Sequence, residues 1–287
     1  MSGSPDRSPL AGTGWDPAQY LRFGDERTRP ALELLARVRH PDPHLVVDLG
    51  CGTGHITRLL AERWPGAAVV GVDHSPQMLA EAAATPSRVR WVEADARDWR
   101  PDAPADVVFS NATLQWLPDH DAVVPRWLSH VAPGGTLAVQ MPLNWAAPSH
   151  RLMRDTLADG APDGGPLGPP ALRTALATPW VGEPKTYLDL LSHVGGPDLD
   201  LDIWDTTYLH VLEGDDPVLE WVKGTGLRPV LAGLADAERT AFLATYAARL
   251  RAAYPRRADG RTVFPFRRLF IVGRRYTRAA NASGIPG

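Results

Sequence analysis

Apolar residues recur along this chain in two alternating rhythms. Short runs rich in β-branched residues occupy positions 45–49, 68–72, 89–93, 107–110 and 136–140. Between them, apolar residues return at three- and four-residue spacing over 56–64, 76–84 and 123–131. The runs have the length of strands and the spaced segments that of one-sided helices. Upstream, Ala31, Leu32, Leu34, Leu35 and Val38 give the segment 27–39 the same helical spacing, while Trp15, Tyr20 and Phe23 read as packing residues. Strands that alternate with helices predict an α/β fold with a doubly wound, mostly parallel sheet, in which ligands bind beyond the carboxyl ends of the strands.

After position 140 the pattern changes. Helical spacing marks 151–157 and 187–194, the stretch 200–211 reads as a strand, and 217–254 is helical with a break around Gly224 to Pro229. A final strand is expected over 262–274. If the last two strands pair, about fifty residues lie between them, far more than a hairpin turn needs. That excursion predicts a helical cap over the strand carboxyl ends. The expected division is a disordered tail at 1–14, a ligand-binding core at 15–144, a partial cap and return at 145–199, and a core strand at 200–212. A helical substrate cap follows at 213–260, then the final core strand at 261–275 and a flexible tail at 276–287. The Gly/Pro-rich stretch 158–170 reads as a mobile loop.

Composition narrows the classes. With 287 residues, 44% hydrophobic and 22% charged, the chain suits a soluble α/β domain with an elaboration, and 28 prolines with 26 glycines imply many breaks. A net charge of -3 gives no basic field for nucleic acid or an anionic membrane. The single cysteine, Cys51, excludes an internal disulfide framework, and a reduced, cytoplasmic setting is expected. No apolar run is long enough to span a bilayer. Nine histidines form no H-E-x-x-H or comparable ligand pattern, so no metal is expected.

The chemistry concentrates at the predicted strand ends. Val46-Val47-Asp48-Leu49 runs into Gly50-Cys51-Gly52-Thr53-Gly54, a strand, a tight turn and a helix start where a nucleotide can approach the backbone. The second strand ends at Asp73, about twenty residues past the last glycine, the place of a carboxylate that bonds a ribose diol. The third ends at Glu93-Ala94-Asp95-Ala96, an acceptor near the base position, and the fourth at Ser110-Asn111-Ala112, followed by Gln115 and Trp116. A dinucleotide would favour G-x-G-x-x-G and a phosphate at the helix start; here the glycines run G-x-G-x-G and Asp48 would oppose a phosphate. Carboxylates at three successive strand ends favour S-adenosylmethionine, which carries a sulfonium and an ammonium and no phosphate.

The blocks Asp48 to Gly54, Val72-Asp73-His74-Ser75-Pro76-Gln77-Met78 and Glu93 to Ala96 resemble the successive cofactor motifs of S-adenosylmethionine-dependent methyltransferases with a Rossmann-like sheet. Trp15-Asp16-Pro17, the stretch Ser110 to His120, Val139-Gln140-Met141-Pro142 and Thr225-Gly226-Leu227-Arg228-Pro229 are more narrowly similar to trans-aconitate 2-methyltransferases, and the resemblance runs from Trp15 to Arg275. It implies methyl transfer to a carboxylate of trans-aconitate or a similar small polycarboxylate, giving a monomethyl ester and S-adenosylhomocysteine. Another small-molecule O- or N-methyltransferase, or a nonenzymatic cofactor-binding regulator, is the alternative.

Cofactor contacts are expected at Asp48, Gly50, Gly52, Gly54, Asp73, Ser75, Met78, Asp95, Ala96 and Asn111. Substrate contacts are expected at Gln115, Trp116, Trp145, His150, Arg228 and Arg268, with the arginines on non-reacting carboxylates and weaker donors nearer the methyl. Arg27 and Arg29 are further cationic candidates. No catalytic base is assigned, because a carboxylic acid with a pKa near ~4 is already ionised at neutral pH.

Overall fold

The computed structural model describes residues 24–179 and 181–277, with side chains from Thr28 onward. The expectations at Trp15 to Phe23, at the Arg27 side chain and for the two tails up to 14 and beyond 277 lie outside those residues. The elements are α1 (Gly24–Arg37), β1 (Leu45–Leu49), α2 (His55–Arg63), β2 (Ala68–Asp73), α3 (Pro76–Ala84), β3 (Arg90–Glu93), β4 (Ala105–Asn111), α4 (His120–Ser129) and β5 (Val131–Pro142). There follow α5 (Pro148–Asp159), α6 (Pro170–Ala177), α7 (Pro184–Gly195), β6 (Leu199–Leu212), α8 (Pro217–Lys223), α9 (Arg228–Ala232), α10 (Asp236–Ala253) and β7 (Thr262–Arg275). Among the described residues no helix is long and apolar enough to cross a membrane.

One seven-stranded sheet runs in the order β3-β2-β1-β4-β5-β7-β6. The pairs β2–β3, β1–β2, β1–β4 and β4–β5 are parallel, as strands joined by helices require. Order reverses at β1, whose neighbours are β2 and β4, so the glycine turn that follows β1 sits at the switch point. β1 and β2 are apolar almost throughout because both faces are covered.

Contacts divide the chain into two compact units. The sheet unit comprises Thr28–Met141, Gly182–Asp205 and the chain from Leu269; the insert unit includes Pro142–Val181 and Thr206–Arg268. The insert unit has its own apolar core of Met153, Leu157, Trp221, Val222, Phe242, Tyr246, Leu250 and Phe264. Within it, the start of α5 is pinned to α10 and its end, where the Tyr246 hydroxyl donates to the Ser149 carbonyl at 2.7 Å and the Ser149 N–H donates to the Tyr254 hydroxyl at 3.0 Å.

Two readings of local composition change. Prolines stand in the first turn of α3, α5, α6, α7 and α8, so many of them start helices, where the missing N–H has no cost, and do not mark breaks. The stretch 158–170, expected to be mobile, is anchored: Leu167 is buried, its N–H donates to the Leu157 carbonyl at 2.8 Å, and Gly168 N–H donates to Glu238 Oε1 at 2.9 Å. The short helix α6, which begins at Pro170, had no counterpart in the sequence pattern.

Candidate active site

The turn after β1 is shaped by three left-handed glycines, Gly50, Gly52 and Gly54, with φ of 78°, 54° and 73°. Their surroundings differ. A side chain on Gly50 would collide with Thr113, and one on Gly54 with Trp91, whereas one on Gly52 would meet nothing within 4 Å. Gly50 and Gly54 therefore let the turn pack, and Gly52 presents bare backbone for a ligand to approach. The turn is hung from β2: Gly50 and Cys51 N–H both donate to the Val72 carbonyl, at 2.8 and 3.0 Å.

Asp73 holds the same turn from the side. Its Oδ2 accepts from Gly52 N–H at 2.8 Å and its Oδ1 from Ser75 N–H at 2.9 Å. Each carboxylate oxygen has a second lone pair, so Asp73 can order the loop and still accept from a ligand hydroxyl. Ser75 caps α3 by accepting from Met78 N–H at 3.3 Å, and Met78 is buried beneath the cap.

Asp48 stands at the penultimate position of β1. It is 2% exposed and accepts from the Thr57 hydroxyl at 2.6 Å. Burial pushes its carboxyl up to about 7, against the Thr57 bond, with the Asp73 charge adding to the rise. A carboxyl that is half protonated near neutrality is a weak fixed anion; its firm contact is the strut from β1 to α2. Asp95, at the end of β3, is paired with Arg97 Nε at 2.9 Å. Burial opposes its ionisation, but the hydrogen bonds and charge of Arg97 hold it below the usual carboxylate range. Ala96 is buried, and its carbonyl accepts from Trp127 Nε1 at 2.8 Å.

Register brings these strand ends to one face. The parallel partners Asp48 and Gly71, Asp73 and Glu93, Asp48 and Phe109, Phe109 and Ala138, and Asn111 and Gln140 share it, since residues two apart on a strand point the same way. On that face Asn111 Oδ1 and both ends of the Gln140 amide are buried without a hydrogen-bond partner among the described residues, and so is Gln115 Oε1 on the turn that follows β4. Gln115 is oriented by its Nε2, which donates to the Ala112 carbonyl at 2.6 Å. The 3₁₀ turn Leu114–Trp116 that carries Gln115 and Trp116 is braced by His120, whose Nε2 lies 2.8 Å from the Leu114 carbonyl and whose Nδ1 lies 2.6 Å from the Tyr187 hydroxyl. Burial lowers the His120 pKa and raises that of Tyr187 to about 12, so the brace is neutral.

Trp145, His150, Arg228 and Arg268 belong to the insert unit. The first two sit together around Arg154, which the sequence reading missed. The Arg154 guanidinium lies 3.7 Å from the centre of the Trp145 ring and donates to the Trp145 carbonyl at 2.9 Å. His150 stands one turn before it on α5, with Nδ1 3.1 Å from Ser149 Oγ. A side chain on Gly226 would come 3.1 Å from His150 Nε2. Arg228 opens α9, half-buried, and Arg268 is buried with its guanidinium 4.8 Å from the Phe266 ring centre. Arg154 carried one local signal, its four-residue spacing from His150; Gln140 carried another, as the one amide in an apolar strand run.

The loop fits S-adenosylmethionine: bare backbone at Gly52 and a carboxylate at Asp73 with acceptor capacity left. A family model described as a methyltransferase domain matches residues 46–135, which span the turn and β1 to β5. The chain is 51% identical over 260 residues to the trans-aconitate 2-methyltransferase of Azoarcus sp., covering 90% of this chain and 98% of that one. It is 52% identical over 272 residues to the trans-aconitate 2-methyltransferase of Streptomyces avermitilis, with 92% and 98% covered. Among solved structures, phosphoethanolamine N-methyltransferase 2 of Haemonchus contortus, in complex with phosphomonomethylethanolamine and S-adenosylhomocysteine, shares the fold with a TM-score of 0.50 at 17% identity, covering 86% of this chain and 52% of that one. The 51% and 52% identities to the Azoarcus and Streptomyces enzymes, over nearly the whole of both chains, mean that this chain belongs to the trans-aconitate 2-methyltransferase family of S-adenosylmethionine-dependent methyltransferases.

Proposed function

We propose that the protein methylates one carboxylate of trans-aconitate, or of a similar small polycarboxylate, to a monomethyl ester. The observation that carries this reading is the near full-length similarity to enzymes of that name, which extends through the insert unit and beyond the cofactor motifs. When bound, S-adenosylmethionine supplies an electrophilic methyl group on its sulfonium.

What the chain has to do is modest. The acceptor carboxylate is already the nucleophile at neutral pH, so no residue need remove a proton. Positioning can lower a barrier by about 7 to 11 kcal/mol in favourable systems. In this reading Gly50, Gly52 and Gly54 shape the turn under the cofactor, Asp73 accepts from its ribose, Asp95 and Ala96 face its base, and Ser75 and Met78 order the helix start beside it. Asn111, Gln115 and Trp116 supply uncharged polar contacts in the sheet unit, and within the insert unit Arg228 and Arg268 are the cations suited to a carboxylate. Neutral donors near the reacting oxygen suit the chemistry, since a cation there would withdraw its electron density.

The deciding experiment incubates the protein with methyl-labelled S-adenosylmethionine and trans-aconitate. An alkali-labile methyl product in the acid fraction is expected. A base-stable product would assign another acceptor class, and bound cofactor without any product would leave a nonenzymatic regulator.

A further inference from the structure

Helix α5 carries a cation whose surroundings are unusual. Arg154 is half-buried, stacked on the Trp145 indole, and among the described residues its one hydrogen bond goes to the Trp145 carbonyl. A guanidinium has five donors, so most of this fork is unused. Among the described residues no carboxylate pairs with it: Asp155, the neighbouring acid, pairs with Arg151 at 3.6 Å. Burial, the larger cause, holds the Arg154 pKa below the usual arginine range, with Asp155 raising it and Arg151 lowering it. A partly desolvated cation without a counterion is costly, and an anionic ligand would offset that cost.

His150 completes the arrangement. It lies one turn before Arg154, and burial with the Arg154 charge lowers its pKa to about 4, so the ring is neutral at physiological pH. Ser149 Oγ lies 3.1 Å from Nδ1, and the tautomer with its hydrogen on Nε2 presents a donor on the side where Gly226 carries no side chain. The opening beside Nε2 therefore depends on a glycine from a segment more than seventy residues away.

We propose that Arg154 and His150, with Trp145 and Gly226 as walls, form a carboxylate-recognition site in the insert unit, with Arg154 as the cationic anchor for a polycarboxylate acceptor. The proposal rests on the acceptor class proposed above. Arg154 offers the paired donors that suit a carboxylate, held flat by the indole, and His150 adds one neutral donor.

Two measurements test it. Arg154→Met should raise KM for trans-aconitate about 30- to 100-fold, while the Kd for S-adenosylhomocysteine changes less than about twofold. Arg154→Lys should recover part of the loss, because it restores the charge without the planar fork. A KM for Arg154→Met within about threefold of the unmodified enzyme would overturn the assignment. The second measurement needs no variant: the His150 ring is titrated by NMR in the intact protein, with and without trans-aconitate. A carboxylate bound beside the ring should move its pKa up from about 4 toward the ordinary histidine value. A pKa unmoved at millimolar trans-aconitate would contradict the site. If the unmodified protein forms no ester, the proposed reaction fails, and this titration still decides whether a polycarboxylate binds here.

Discussion

The turn after β1 and the Arg154 cluster satisfy their polar groups in opposite ways. At the turn, Asp73 is bonded through both oxygens, Ser75 is used as a cap and Asp48 is bound to Thr57. On α5, a half-buried guanidinium has a ring and one carbonyl for company. The first region is complete as protein and offers a ligand bare backbone at Gly52; the second offers a charge. The contrast suggests why a cofactor site can be rigid and shared across a superfamily while an acceptor site is specific: the one is backbone geometry, the other a few unmatched side chains.

The largest test of that contrast is Gly50→Ala. Its φ of 78° and the collision of the new Cβ with Thr113 should together cost about 2 to 5 kcal/mol, read as a lowered urea midpoint. If the turn tolerates alanine with an unchanged midpoint, it is less tightly packed than described.

Next is the pH dependence of stability. The folded pKa of Asp48, about 7, lies above its ordinary value of 3.8. The folded state therefore binds the proton more strongly, and the contribution is full below about pH 4 and lost as the pH rises through 7. Stability should fall across that window by on the order of a few kcal/mol from this group, and Asp48→Asn should remove that part of the slope. Urea melts at several pH values with the same slope in both proteins would remove the strut role.

A smaller effect concerns Gln140. It is fully buried and both amide ends lack partners among the described residues. Gln140→Leu should leave stability unchanged or raise it by about 1 to 3 kcal/mol, the cost of an unsatisfied buried group. A loss of stability in a thermal melt would mean that the amide is bonded in the folded protein.

The same contrast explains what could be read from the sequence. The glycine turn, Asp73 and the β-α alternation are local: each depends on residues within one strand, turn and helix start. β1 was legible to the residue, whereas β5 starts well before its apolar run, at Val131, because that residue pairs with Ala105 of β4. Asp48 was legible as a strand-end carboxylate but not as buried, since its partner Thr57 is on the next helix. Arg154 was not legible because its distinction is a missing counterion, and Gly226 matters to His150 only after the chain has folded.

The most direct test of this division of labour measures the Kd for S-adenosylhomocysteine and the KM for trans-aconitate in two variants side by side. A methyl at Gly52 meets no protein atom within 4 Å, so Gly52→Ala should raise the cofactor Kd at least about tenfold and leave the acceptor KM, at saturating cofactor, within about threefold. Arg154→Met should show the reverse pattern. Both variants altering the same constant, with the other unmoved, would contradict the account.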